Sequence, residues 1–125
     1  MKVNRFTMIC TGDMVIVDFG TSTMRCRTMG KHPAYVVSVD DSHASGARLM
    51  VIPAFRKRSC EDGTYDILLK KSDCSGLRYE MYVNVSNIQK VDRMDVLEKI
   101  GHVKDGRVAM DVKMQIRRRV GDYDE

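Results

Sequence analysis

The chain has no long apolar run, no C-x-x-C pair, no internal repeat and no low-complexity segment. The first absence excludes a membrane-spanning helix, which needs about 20 largely apolar residues in a row. The second bears on the four cysteines, Cys10, Cys26, Cys60 and Cys74. Their spacing fits no zinc pattern, so no metal and no cofactor are expected, and free thiols in a reducing compartment are. The opening MKVNRFTMICTGD lacks the apolar core and small-residue cleavage site of a signal peptide, so a cytoplasmic location is expected. Neither sign of charge dominates. A net charge of +4 permits nucleic-acid binding without demanding it. The distribution says more: Arg56-Lys57-Arg58, Lys70-Lys71 and Arg117-Arg118-Arg119 are cationic clusters, and the tail Asp122 to Glu125 is acidic.

What is present organises itself around residues 12–41. Met14, Val15, Ile16, Val17 and Phe19 form one β run, and Ala34, Tyr35, Val36, Val37 and Val39 a second. Both are β-branched or aromatic, which suits a pleated surface. Gly12-Asp13 opens the first run, Gly20 closes it, and Pro33 marks entry to the second. The polar loop from Thr21 to His32 is too long for a tight hairpin turn, and long loops without structure of their own are often functional. It carries Arg25, Arg27, Lys31 and His32, four groups that could meet an anion.

Further along, 48–54, 65–69 and 80–85 read as strands, with Pro53 marking an end or an edge, and Ile88 and Val91 continue the sheet. Met94, Leu97 and Ile100 lie at helical spacing before Gly101, which predicts a short helix from Asp92 or Arg93. Asp105 reads as the N-cap of a second helix to Val120, with Val108, Val112, Ile116 and Val120 on its buried face. At 125 residues this is one domain with room for a real core. The expected division is a lead-in over 1–11, strands and loops over 12–92, helices over 93–121 and the acidic tail over 122–125. The class is mainly β with C-terminal helices, a bent antiparallel sheet or small barrel.

GDMVIVDFG followed by GKHPAYVVSVDD resembles the opening of the MazF/PemK toxin family. Leu49 to Pro53 is similar to that family's third strand, and VNVSNIQKVDRMDVLEKIG, Val83 to Gly101, to a later segment. The similarity runs from Gly12 to about Val120. It implies a small SH3-like β-barrel with a C-terminal helix, a homodimer, and the toxin of a type II toxin–antitoxin pair. It implies a metal-independent endoribonuclease acting on single-stranded RNA and held by a cognate antitoxin protein.

Such cleavage needs a base for the ribose 2′-hydroxyl, an acid for the leaving 5′-oxygen and a cation for the phosphate. The family's arginine before the second-strand proline is His32 here, a residue able to serve as base, acid or cation. Its Thr or Ser after the third strand corresponds to Ala54 or Phe55, with Arg56 and Ser59 just beyond. Its acidic residue corresponds to Ser86, and a glutamate-glutamine pair in the first loop to Arg27-Thr28. His32 is therefore the catalytic candidate, and Arg25, Arg27, Lys31, Arg56 and Lys57 are the RNA-binding candidates. Each has a plainer reading as a solvated surface charge. Tyr35, Tyr79 and Tyr82 could stack bases, although strand tyrosines are more often core; His43 and His102 read as bystanders. Asp18 faces away from the core, where a structural salt bridge to the loop arginines is favoured. The alternative to an enzyme is a MazF-like module that binds nucleic acid or a partner protein without cutting.

Overall fold

The computed structural model describes residues 2–4, 6–20, 30–41, 47–58 and 66–123, with side chains to residue 118. Arg25, Arg27, Cys26, His43, Ser59 and Cys60 lie outside the described residues. The strands are β1 (Asp13–Asp18), β2 (Lys31–Asp40), β3 (Arg48–Phe55), β4 (Ile67–Leu69), β5 (Met81–Val83), β6 (Gln89–Asp92) and β7 (Val96–His102), followed by the helix α1 (Gly106–Tyr123). They form one seven-stranded sheet in the order β4-β5-β3-β2-β1-β7, with β6 also paired to β3. Every pairing is antiparallel. β3 changes partner along its length: Arg48 to Val51 meet β6, and Ala54 and Phe55 meet β5. Pro53 sits at that change, buried and inside the strand rather than at its end.

The class read from the sequence holds, but the sheet is not a closed barrel: among the described residues no ladder joins β4 to β7. The segment after β4 fills the gap by close packing. A Cβ on Gly76 would fall 1.8 Å from the Ile100 carbonyl oxygen, and one on Gly101 would fall 2.6 Å from Cys74 Sγ. Gly101 is thus a point of close approach and not the stop of a helix.

That corrects the helix expected over 93–101. Arg93–Asp95 is a single 3-10 turn, and Val96–His102 is strand β7, paired along β1. Three apolar residues at helical spacing were outweighed by the exposed edge of β1, whose backbone groups need partners. The second helix forms as expected. Asp105 caps it by accepting the Arg107 N–H at 2.9 Å, and that bond holds its carboxyl below the usual range. The helix runs through Gly121 to Tyr123, past the expected end.

The sheet separates two cores. On one face Met14, Tyr35, Ile52, Leu69 and Val83 pack against Val108 and Val112 of α1. Burying each of those valines contributes about 1.5–3 kcal/mol. On the other face Val15, Val17, Ala34, Val36, Leu49 and Val51 are covered by Val96 and by Ile9 of the lead-in. The lead-in is tied down from its start: the Val3 N–H donates to the Leu97 carbonyl at 2.9 Å, and Arg93 donates to the carbonyls of Asn4 and Thr7.

Asp13 joins these parts. Its side chain is 1% exposed. Oδ1 lies 2.8 Å from His102 Nδ1, and Oδ2 lies 3.1 Å from Lys99 Nζ and accepts the Cys10 N–H at 2.7 Å. In a regular strand Lys99 and His102 would face opposite sides. β7 bulges at Ile100, since Met14 pairs with Gly101 and Val15 with Lys99, and the extra residue turns both side chains toward one carboxylate. His102 is therefore a structural partner, not a bystander.

Two stability measurements test this frame. In urea titrations Asp13→Ala lowers stability by about 1–3 kcal/mol, because the Cys10 N–H and two basic side chains lose their acceptor; a midpoint matching the wild type would contradict this. Gly76→Ala costs about 1–3 kcal/mol by forcing the turn off β7, and an unchanged melting temperature would show that the approach is not tight.

Candidate functional site

His32 is a β2 residue opposite Val17, half-buried, and not part of the loop. Its ring lies 6.4 Å from that of Phe19 and 5.5 Å from that of Phe55, tilted by 53° and 55°. The hairpin carries Phe19 to this place because the β1–β2 ladder continues past Asp18. The Phe19 N–H donates to the Gly30 carbonyl and the Gly30 N–H to the Gly20 carbonyl, both at 2.9 Å. Gly20 and Gly30 have φ of 73° and 76°, a left-handed backbone that glycine adopts without strain.

Paired residues of antiparallel strands share a face. Phe55 pairs with Tyr82 and Tyr82 with Leu68. Phe19, His32, Phe55 and Tyr82 thus form a stripe across four strands on the face opposite α1. Beyond Phe55 the chain turns cationic: Arg56, Lys57 and Arg58 are exposed. The Arg56 guanidinium lies 3.8 Å over the Tyr79 ring, which is 50% exposed.

The edge beyond Phe19 carries charge of both signs. Asp18, Asp92 and Asp95 border a cavity of about 380 Å³ with Arg48 and Lys90. Burial, then the charges of Asp92 and Asp18, push the Asp95 carboxyl up. Asp18 shares a face with its strand partner Lys31, away from His32, and Arg48 Nε lies 3.7 Å from Asp92 Oδ1.

Of the RNA-binding candidates, Arg56 and Lys57 adjoin the stripe. Lys31 does not: it is exposed, pairs with Asp18, and the pleat turns it away from the face of its neighbour His32. Asp18 Oδ1 accepts the Gly20 N–H at 2.9 Å, closing the turn after β1. Tyr35 is buried in the helix-side core, and burial raises its pKa. The parts that sequence reasoning passed over are Phe19 and Phe55, treated as a core residue and as a lost hydroxyl. Their shared face with His32 was available from strand parity alone. No group of three or more His, Cys, Asp or Glu able to hold a metal ion occurs among the described residues. No helix among them is long and apolar enough to cross a membrane. Cys10 and Cys74 are free thiols.

A family model described as PemK-like, MazF-like toxin of type II toxin–antitoxin system matches residues 11–120. The chain belongs to this family. Among solved structures, it is similar to an endoribonuclease in complex with its cognate antitoxin from Mycobacterial species, with a TM-score of 0.63 and 16% identity over 90% of this chain and 93% of that one. At that identity the likeness speaks for the fold. A comparison with curated protein sequences found no match. His32 and Phe55, where the family resemblance implies an arginine and, at Ala54 or Phe55, a Thr or Ser, lie with their ring centroids 5.5 Å apart.

Asp95 gives a pH test. A carboxyl whose folded pKa is raised opposes folding while it is ionised. That opposition is full above the raised pKa and vanishes below the ordinary carboxylate value. Asp95→Asn therefore melts at a higher temperature than the wild type at pH 7, and the gap closes as pH falls through the raised pKa. A gap that widens in acid would contradict the assignment.

Proposed function

We propose that this PemK/MazF-family chain is the endoribonuclease toxin of a type II toxin–antitoxin pair, cutting single-stranded RNA on the His32 face without a metal ion. The observation that carries the reading is the half-buried imidazole set between Phe19 and Phe55, on a stripe that ends in exposed arginines and a lysine. The phenyl rings limit water around the imidazole and hold its orientation, while the stripe offers π-faces on which unpaired bases stack.

In this mechanism His32 takes the proton from a ribose 2′-hydroxyl. The 2′-oxygen bonds to phosphorus and the P–O5′ bond breaks. The proton passes to the departing 5′-oxygen, leaving a 2′,3′-cyclic phosphate and a 5′-hydroxyl. Arg56 and Lys57 offset the charge growing on the phosphate. Arg25 and Arg27 remain candidates from the sequence for the same task. The loss of the family's hydroxyl and acidic residue shifts proton transfer onto the imidazole, a group that exchanges protons near neutral pH. A cognate antitoxin covers this face when the toxin is silent, as supported by the antitoxin bound to the similar endoribonuclease. The toxin works as a homodimer in the cytoplasm, where its substrate is.

Incubation with mixed-sequence single-stranded RNA in EDTA tests the reading. The wild type yields cyclic-phosphate ends, and His32→Ala cuts about 100- to 10,000-fold more slowly, the range of a lost acid–base group. Full activity in His32→Ala would place the chemistry elsewhere. Cleavage by neither protein, with both folded, would favour the non-cutting binding module.

A further inference from the structure

Arg58 follows Arg56 by two residues, and its guanidinium lies 5.8 Å from the centre of the Tyr82 ring. What aims it is unusual for a surface arginine. Its Nε is 3.6 Å from Oδ2 of Asp66, whose side chain is 1% exposed while that of Arg58 is 63% exposed. Behind the carboxylate, Asn84 Nδ2 donates to Asp66 Oδ1 at 3.0 Å. Asn84 is itself 4% exposed, and its Oδ1 accepts the Ser86 N–H at 3.0 Å and the Ser86 hydroxyl at 2.8 Å. Ser86, Asn84 and Asp66 are thus linked by side-chain hydrogen bonds, and Asp66 forms an ion pair with the exposed Arg58.

Burying a carboxylate is costly unless its partners replace its hydration, and here one partner is the exposed guanidinium of Arg58. The effect of the ion pair is to fix where the guanidinium sits. A planar, pre-aimed guanidinium is suited to a phosphate, which it meets with two parallel N–H bonds. Beside it, the Arg56 guanidinium over the half-exposed Tyr79 ring is a flat cationic surface suited to a nucleobase. A phosphate contact and a stacking surface side by side match one nucleotide of a single strand.

We propose that Arg58 and the Arg56–Tyr79 pair form a nucleotide subsite beside His32, with Arg58 on a phosphate, the base on Arg56–Tyr79, and Asp66 and Asn84 as positioning residues. The subsite rests on the reading of this face as RNA-binding, but not on cleavage.

The test is binding of the full chain to a labelled ten-nucleotide single-stranded RNA, 2′-O-methylated at every ribose so that it cannot be cut, by fluorescence anisotropy over a range of KCl in EDTA. Tyr79→Ala weakens binding about ten-fold, one stacked base. Arg58→Ala weakens it and reduces the slope of log affinity against log salt by about 0.7, one phosphate contact. Asp66→Asn is the sharpest arm. If only net charge mattered, removing a carboxylate would tighten binding. Positioning predicts the opposite sign, several-fold weaker binding, and no further loss when Asp66→Asn is added to Arg58→Ala. An unchanged slope in Arg58→Ala, tighter binding by Asp66→Asn, or an equal loss from Asp66→Asn in both backgrounds would overturn the subsite. Should Asp66→Asn fail to fold, the slope of the exposed Arg58→Ala variant decides. A wild type that binds the methylated strand but cuts no unmodified RNA would end the cleavage reading and leave the subsite standing. A wild type that binds no RNA would end both.

Discussion

A carboxylate drawn out of water is tolerated only when polar partners replace its hydration, and the frame of this protein is arranged to supply them to Asp13. The lead-in gives a backbone N–H, and β7 gives Lys99 and His102 by bulging at Ile100. The same carboxylate therefore fixes where the lead-in crosses, how β7 is registered on β1, and how far β1 runs before its turn. On its other edge β1 pairs with β2, where Val17 opposite His32 sets the imidazole on the face away from the helix.

The two faces of the sheet do different work. The helix-side face spends its apolar residues on α1 and carries few groups able to do chemistry. The opposite face is covered at one end by the lead-in and left open along Phe19, His32, Phe55 and Tyr82. At the Phe55 end it runs into the exposed cations Arg56, Lys57 and Arg58, which suit a polyanion. The ring of Phe55, 5.5 Å from that of His32 between centroids, helps to orient the imidazole by packing.

Much of this was legible in the sequence. Alternation in 14–19 and 34–39 gave β1 and β2, and Asp105 with Val108, Val112 and Ile116 gave the capped helix. His32, the catalytic candidate, was placed in a loop, because Pro33 looked like a strand entry when the ladder had begun at Lys31. Residues 96–100 misled because a strand with a bulge breaks strict alternation, and Leu97 and Ile100 then mimic helical spacing. Asp13 gave no sign of its role. Its partners, Lys99 and His102, lie far along the chain, and only the pairing of β1 with β7 brings them together. Asp66 was unreadable for the same reason, since Asn84 approaches it across the β4–β5 pair.

The claim that the open face, and not the helix face, receives RNA is tested most directly by nuclear magnetic resonance. Labelled protein is titrated with a single-stranded RNA methylated at its 2′-hydroxyls, following the side-chain signals of His32, Phe19, Phe55 and Tyr79 beside the methyl signals of Val108 and Val112. The account predicts shifts that grow with RNA in the first group and are absent in the second. Shifts centred on the α1 valines, with the His32 ring unmoved, would contradict it.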